Sequence, residues 1–310
     1  MQNLDIERIN EKEARLLRFY GSDGEVLIPE EAEGLKLTEI GAYCFSDHKP
    51  AGRKEETDGK ACKATSASAL LPVCGDLLET AVLPNTVTAL GAYAFYDCKN
   101  LRSLTVGHRL TEIGDGAFMN CRNLKRLRLN AKPKDRTGLR RILKQWRSEL
   151  QVSFLCDGTE EARILFPEFT ESYEEIGPAH IFGLRIEGEG KRIREQFRDE
   201  VFDFRGYDAS FLKACQEESL LTLLRMAACR LRFPVDLSGK AEERYRDFFR
   251  SNEKKVLGEI IDRRMKDELR LLLDCGLVSP EARRFAIRRA SAAGFLEGNL
   301  ILITAASAAG

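Results

Sequence analysis

The sequence predicts an α+β protein with more than one domain: a short solenoid of about four repeated units, a mixed α/β segment, and an α-helical end. Three observations support this. A 23-residue spacing recurs in the first 130 residues, apolar residues stand three and four positions apart after Tyr207, and 43% of the 310 residues are hydrophobic. A chain of this length can build more than one core. We therefore divide it into residues 1–130, 131–206 and 207–310.

The repeat is clearest when residues 78–100 are laid over residues 101–123. Seven of the 23 aligned positions are identical, where roughly one or two would be expected at average residue usage. The identical pairs are Leu78 and Leu101, Thr88 and Thr111, Gly91 and Gly114, Ala94 and Ala117, Phe95 and Phe118, Cys98 and Cys121, and Asn100 and Asn123. A fixed period of this size is typical of stacked repeats and predicts a solenoid.

Further copies stand on both sides of this pair. An earlier copy runs from Ile28 to Phe45, and a partial copy begins at Leu124. Residues 50–75 interrupt the period with a stretch rich in Lys, Ala, Ser, Thr and Gly. We interpret that stretch as an inserted loop on one side of the stack.

Each unit predicts a short strand, a glycine turn and a buried ring. Alternate residues of the Leu-x-x-Leu-x-Leu pattern face inward, and glycine turns the chain where a side chain would clash. The Cys and Asn at the next corner are small enough to stack and can bond backbone groups that otherwise lack partners. Stacking then makes a continuous core, because one unit cannot bury its apolar side alone. The predicted repeat core is Phe45, Phe95, Phe118, Leu90, Ile113, Cys98 and Cys121.

These motifs resemble the BspA-like leucine-rich repeat of bacterial proteins. The residues that carry the resemblance are Ile28-Pro29, Gly34, Leu37-Thr38-Glu39-Ile40-Gly41 and Phe45; Leu83-Pro84 and Leu90-Gly91-Ala92-Tyr93-Ala94-Phe95-Tyr96-Asp97-Cys98; and Ile113-Gly114-Asp115-Gly116-Ala117-Phe118-Met119-Asn120-Cys121. The resemblance covers about residues 14–130 and implies a curved leucine-rich-repeat solenoid used for adhesion or protein recognition. Many such proteins are long and exported, whereas this sequence shows about four units and no export signal at its start.

The segment that follows the repeats mixes helix and strand patterns. Apolar residues from Leu139 to Leu150 stand at helical spacing, and residues 152–156 and 162–166 read as strands. Residues 170–206 are expected to be irregular with some strand. Gly188–Arg192 lacks the spacing of a phosphate-binding loop, and we interpret it as a hairpin turn.

Seven helical segments are predicted after Tyr207. Ser279 before Pro280 is a typical helix start, with serine as the cap and proline in the first turn. Residues 271–282 resemble ankyrin-type helix pairing, without the Thr-Pro-Leu-His signature. The predicted segments are 208–216, 218–232, 240–250, 253–262, 265–274, 280–293 and 296–306.

No catalytic motif is recognisable, so we expect a non-enzymatic protein with no catalytic, cofactor-binding or metal-binding residue and no small-molecule substrate. His48 occupies the repeat corner that Cys98 and Cys121 occupy later, and no second His or Cys pair completes a metal site. Cys98 and Cys121 lie one repeat apart. Because parallel turns point them the same way, we interpret them as buried thiols and not as a disulfide.

The sequence also makes predictions about location. Its first residues combine no basic flank with an apolar run, and no 18 consecutive apolar residues occur. We therefore expect a cytoplasmic protein that does not enter a membrane. The formal net charge is +0, so no overall field attracts nucleic acid.

The charges are unevenly distributed, however. Between Arg122 and Arg147 there are eleven Lys or Arg and one acid, Asp135. One hypothesis is that this stretch binds nucleic acid or an acidic partner. The alternative is a solvated face that pairs with the acid-rich segment 157–175. Trp146 is expected in the core, which leaves little for stacking on bases.

The main functional hypothesis is protein recognition by the exposed strand face of the solenoid. This face grades from acidic to basic along the stack and suggests an unidentified protein partner with acidic character. The predicted outward residues are Glu79, Thr80 and Val82, then Arg102, Ser103 and Thr105, then Lys125, Arg126 and Arg128.

Overall fold

The computed structural model describes residues 2–48, 70–176 and 181–307. The chain divides into two compact units, not the three predicted domains. The first comprises residues 1–161 with 197–202, and the second comprises residues 162–196 with 203–310. The segment 131–206 is therefore shared between the units, because its first strand pairs with the repeats. Of the insertion predicted at 50–75, residues 50–69 lie outside the described residues.

Short strands precede the helices along the chain. Up to residue 156 the elements are β1 (Asn3–Arg8), β2 (Glu13–Gly21), β3 (Glu25–Leu27), β4 (Glu31–Ala32), β5 (Leu35–Ile40), β6 (Leu71–Pro72), β7 (Thr80–Val82), β8 (Ala89–Leu90), β9 (Ser103–Gly107), β10 (Glu112–Ile113), β11 (Arg126–Asn130), α1 (Leu139–Lys144) and β12 (Leu150–Cys156). The later elements are β13 (Thr159–Phe166), β14 (Thr170–Ile176), β15 (Ile181–Glu187), α2 (Gly190–Ile193), β16 (Phe197–Arg198), β17 (Val201–Phe202), α3 (Phe204–Glu217), α4 (Leu220–Arg232), α5 (Gly239–Asp262), α6 (Lys266–Asp274), α7 (Pro280–Ala292) and α8 (Leu296–Ser307).

A solenoid of about five turns fills the first unit. Its strands β3, β7, β9, β11 and β12 run parallel in one sheet, which we call the sheet ladder. Leu104 pairs with Ala81 on one side and Leu127 on the other, and all three are buried. The sequence predicted about four units. The fifth turn comes from β12, which had been assigned to the mixed segment and pairs with β11 along residues 126–130.

A second sheet has the strand order β1-β2-β5-β8-β10. The glycines that follow β5, β8 and β10 lie where successive turns approach most closely. The Gly91 N–H donates to the Ile40 carbonyl at 2.7 Å, and the Gly114 N–H donates to the Leu90 carbonyl at 2.8 Å. A Cβ atom on Gly91 would overlap the backbone of Ala42, and one on Gly114 would overlap the backbone of Ala92. Glycine is therefore required for this backbone-on-backbone stacking.

Aromatic rings form a column inside the solenoid. Phe45 and Phe95 stack with ring centroids 4.9 Å apart, and Phe95 and Phe118 stack at 5.7 Å. Trp146 packs edge-on against Phe118 at 6.5 Å and ends the column. All four side chains are buried. Rings in line also keep the turns in register, because a slip by one residue would move a ring out of the interior.

The corner residues bond the backbone of the turn before them. The Cys98 thiol donates to the Phe45 carbonyl at 3.1 Å, and the Cys121 thiol donates to the Phe95 carbonyl at 2.9 Å. The amides of Asn100 and Asn123 donate to backbone carbonyls in the same way, at 2.7 and 2.8 Å. The repeated Cys and Asn thus satisfy carbonyls that the strands leave without partners.

The second unit carries six longer helices, α3 to α8, with α5 packed against α7 and α6 against α8. Ser279 caps α7 by accepting from the Ala282 N–H, with Pro280 in the first turn, which confirms that helix start. The two helices predicted at 240–250 and 253–262 are one helix, α5. Asn252, at the predicted break, stays helical, and its amide donates to the Phe248 carbonyl. The ankyrin-type resemblance remains a prediction.

A buried ion pair lies among α3, α4 and α5. The Arg230 guanidinium donates to both carboxylate oxygens of Asp208, at 2.7 and 3.0 Å, and to the carbonyls of Phe233 and Val235. The Tyr245 hydroxyl donates to Asp208 at 2.8 Å. Burial is the main reason why the pKa of Tyr245 lies well above its usual value. This bonding satisfies a charge pair that would otherwise be costly to bury.

The Gly188–Arg192 prediction was wrong. Gly188 has a φ of 87° and leads into the short helix α2, while the Glu189 carboxylate is buried and lies 3.0 Å from the Lys213 ammonium. The hairpin of this region instead joins β14 to β15. A glycine pair identifies a turn but does not distinguish a strand reversal from a helix start.

We expect Gly114→Ala to destabilise the first unit by about 1–3 kcal/mol, because the new Cβ atom must displace the backbone of Ala92. Urea unfolding followed by the fluorescence of Trp146, the single tryptophan, measures this. Gly239→Ala is the control, since nothing lies within 4 Å of its Cβ position. Equal midpoints for the two variants would contradict the close-stacking account.

A second prediction concerns helix ends. The residues Arg264 and Gly294 follow α5 and α7 with φ of 54° and 63° and make matching backbone bonds, such as Met265 N–H to Ile260 and Phe295 N–H to Ala290. Arg264→Gly should stabilise the second unit by about 0.5–1 kcal/mol by removing left-handed strain. Gly294→Ala should destabilise by a similar amount. Thermal unfolding by circular dichroism tests both, and a loss of stability in Arg264→Gly would refute the explanation.

Candidate functional site

The outward face of the sheet ladder contains the residues predicted to meet a partner. Glu79, Arg102 and Lys125 are exposed and stand just before β7, β9 and β11. The strands then align their outward residues in two cross-strand rows. One row contains Glu25, Thr80, Ser103, Arg126 and Gln151, and the other contains Leu27, Val82, Thr105, Arg128 and Ser153.

Charge is graded along this face. Glu25 lies at one end, and Glu79 pairs with Arg102 across 3.7 Å. Lys125, Arg126 and Arg128 are exposed on the next turn, and within the described part of the chain they make no ion pair. The basic end of the face is therefore available to anionic groups.

Two of the predicted residues are placed differently from expectation. Thr105 points outward but is only 8% exposed, because its short side chain lies between Val82 and Arg128 in the row. Ile113, predicted in the repeat core, is only partly buried because β10 is the last strand of its sheet. The other predicted core residues, Phe45, Phe95, Phe118, Leu90, Cys98 and Cys121, are buried. Val82 is half-buried.

The basic stretch 122–147 is distributed over several surroundings. Lys125, Arg126 and Arg128 belong to the sheet face, whereas Arg140 pairs with Glu200 at 3.3 Å. The predicted pairing with segment 157–175 is not what two of its acids do. Glu171 pairs with Lys191 and Glu174 pairs with Arg185, both at 2.7 Å, because β14 and β15 bring these partners close.

His48 lies at the surface, although it was assigned to the corner that Cys98 and Cys121 occupy. Its Nε2 atom lies 3.1 Å from Asp97 Oδ2 and 3.5 Å from Asp47 Oδ1. The hydrogen bond from His48 is the main reason why the pKa of Asp97 is lowered. The three side chains could offer ligands to a metal ion. The Lys99 ammonium 3.6 Å from Asp97 instead supplies the positive charge there.

A cleft at the last repeat turn was not predicted from the sequence. It has a volume of about 540 Å³ and lies between the turn at residues 116–122 and the chain that follows α1. Gln145 stands beside it in place of a further repeat turn: its amide donates to the Gly114 carbonyl at 3.0 Å and accepts from the Ala117 N–H at 3.1 Å. The only sequence signal was the loss of the 23-residue period beyond residue 130, which shows where the stack ends but not how.

The repeated turns, the aromatic column and the parallel strands define the first unit as a leucine-rich-repeat solenoid. Residues 74–137 match the family model described as BspA type leucine rich repeat region (6 copies), which confirms the resemblance found in the sequence. No curated protein matches the chain.

Two solved structures are similar in part. A leucine rich cell surface protein from Faecalibacterium prausnitzii A2-165 is 22% identical with a TM-score of 0.28, and the similarity covers 40% of this chain and 29% of that one. The T. pallidum leucine rich repeat protein is 16% identical with a TM-score of 0.23, covering 41% and 68%. The chain thus spans less than a third of the first protein. The family assignment rests on the sequence match and the repeat geometry.

Within the described residues, no helix combines the length and the apolar character needed to cross a membrane. None of the eight described cysteines forms a disulfide, including Cys98 and Cys121.

We expect thiol labelling to follow burial. Burial raises the pKa of the Cys44 thiol, and the hydrogen bond with Cys121 raises the pKa of Cys98, so both stay protonated at mildly alkaline pH. Iodoacetamide should therefore label the exposed Cys215 in the native protein, and Cys44 and Cys98 only after unfolding. Mass spectrometry of the labelled peptides measures this. Rapid native labelling of Cys98 would show that the turns do not pack as described.

Proposed function

We propose that this protein is a non-enzymatic recognition module that binds an acidic protein partner on the outward face of its sheet ladder. The observation that carries the proposal is the basic end of that face, where Lys125, Arg126 and Arg128 are exposed without an ion-pair partner among the described residues. Leucine-rich repeats are generally protein-interaction modules. Their parallel strands present side chains at fixed spacing, which suits a protein surface.

Buried titratable groups in the second unit support a role without catalysis. Asp208 and Arg230 direct their polar atoms to each other, to Tyr245 and to backbone carbonyls. Such an arrangement stabilises a fold and leaves no group poised to exchange protons with a substrate.

We also propose that the protein works in a reducing compartment such as the cytoplasm. Buried cysteines donate hydrogen bonds within the turns, as Cys98 and Cys121 do, and this needs the reduced thiol.

The test begins with partners captured from the native cell by the wild-type chain and then purified. Reversing two charges with Arg126→Glu and Arg128→Glu should weaken binding at least about tenfold, because attraction to an acidic surface becomes repulsion. Isothermal titration calorimetry measures the change.

The matched control is Lys240→Glu with Lys255→Glu, which changes the net charge equally at exposed positions of the second unit. Unchanged binding by the Arg126 and Arg128 variant would remove this face from consideration. An equal loss in both variants would indicate a general charge effect and not a local surface.

A further inference from the structure

In the solenoid, the N–H groups of one turn donate to carbonyls of the next. The N–H groups of Tyr43 and Phe45 donate to the carbonyls of Ala92 and Ala94, at 3.2 and 2.8 Å. One turn later, three alternate N–H groups do the same. The bonds run from Tyr93 to Asp115, from Phe95 to Ala117 and from Asp97 to Met119, at 3.0, 2.8 and 2.9 Å. We call this arrangement the turn ladder.

The turn ladder stops with its donors open. Gly116, Phe118 and Asn120 stand 23 residues after Tyr93, Phe95 and Asp97. Across the residues that the structure describes, their three N–H groups have no acceptor. The chain leaves the repeat after residue 130 and returns as α1, and the Gln145 amide replaces a further turn only at Gly114 and Ala117.

These three residues all line the cleft at the last repeat turn. Phe118 is only 3% exposed, and a buried N–H without an acceptor is costly, so the position favours a ligand that supplies one. Trp146 lines the same cleft, is 5% exposed, and its Nε1–H also has no partner. Four donors therefore converge on one space.

The surroundings of the donors are positively charged. Arg122 and Lys144 line the cleft, are exposed, and make no ion pair within the described ranges. Gly116 and Asn120 have φ of 62° and 66°, and turns with such left-handed residues aim successive N–H groups at anions. The site thus suits a ligand that offers oxygen acceptors together with negative charge.

We propose that an acidic peptide segment of a protein partner docks in this cleft and extends the turn ladder. Its carbonyl or carboxylate oxygens accept from Gly116, Phe118 and Asn120, and its acidic side chains pair with Arg122 and Lys144. A peptide fits better than a nucleic acid because the open donors repeat at the spacing of backbone carbonyls. The Trp146 ring is buried against Phe118 and offers no face to a base. The site is separate from the sheet face and does not depend on it.

The probe is a synthetic peptide in which glutamate alternates with alanine, with acetylated and amidated ends, added to the full chain. Binding should change the fluorescence of Trp146, the single tryptophan, and shift its indole N–H resonance. It should also slow hydrogen exchange at Gly116, Phe118 and Asn120. The variant Arg122→Glu with Lys144→Glu should weaken binding at least about tenfold, since both charge contacts become repulsive.

Lys132→Glu with Arg136→Glu is the matched control, because both residues are exposed in the same basic stretch but do not line the cleft. It should bind the peptide within about twofold of wild type, as expected for charges outside the contact. A lysine–alanine peptide should bind only the Arg122 and Lys144 variant. Unfolding curves confirm that the variants fold.

Several outcomes would overturn the proposal. One is equal weakening in both variants, and another is protection at Lys125, Arg126 and Arg128 instead of Gly116, Phe118 and Asn120, which would favour the sheet face. The same shifts with inorganic phosphate at equal affinity would make this a small-anion site. Tighter binding of single-stranded DNA in the cleft would make it a nucleic-acid site. Self-association lost in the Arg122 and Lys144 variant would identify a second copy as the occupant.

Discussion

Backbone-on-backbone contact at the turns with Gly41, Gly91 and Gly114 is the constraint on which the first unit depends. The turns come close enough for N–H groups to reach carbonyls one turn away, and a Cβ atom at Gly91 or Gly114 would prevent this. The same close approach stacks Phe45, Phe95 and Phe118 in one column and brings the corner thiols to the carbonyls before them. Polar and apolar contacts therefore require the same spacing between turns, which makes the stack cooperative.

Such a stack leaves two kinds of surface for recognition. Inward residues of the sheet ladder are occupied by the core, so the outward rows carry few structural duties and can differ in charge from turn to turn. The end of the stack has the opposite property. Its backbone donors are fixed by the repeat but have no further turn to bond, except where Gln145 supplies an amide. The side of the solenoid offers variable side chains, and its end offers constant backbone groups.

The second unit is stabilised differently. Its helices are joined by capped ends, as at Ser279 and Gly294, and the helix packing encloses the fully satisfied pair of Asp208 and Arg230. Removing either partner would leave an uncompensated charge in the interior, and therefore the network specifies how α3, α4 and α5 meet. Nothing in its local sequence pattern marks this pair, because the two residues stand 22 positions apart on different helices.

The sequence by itself determined the repeat, because a solenoid is built from local period and composition: the glycine turns, the Phe column and the Cys and Asn corners all follow from a 23-residue spacing. It also determined most helices, whose caps and apolar spacing are local. Only the tertiary structure decided the fifth turn, the partial exposure of Ile113, the burial of Thr105, the surface position of His48, the partners of Glu171 and Glu174, and the cleft beside Trp146. Each of these depends on which residues meet across long stretches of chain, and pairing across strands and turns is set by packing that no local pattern records.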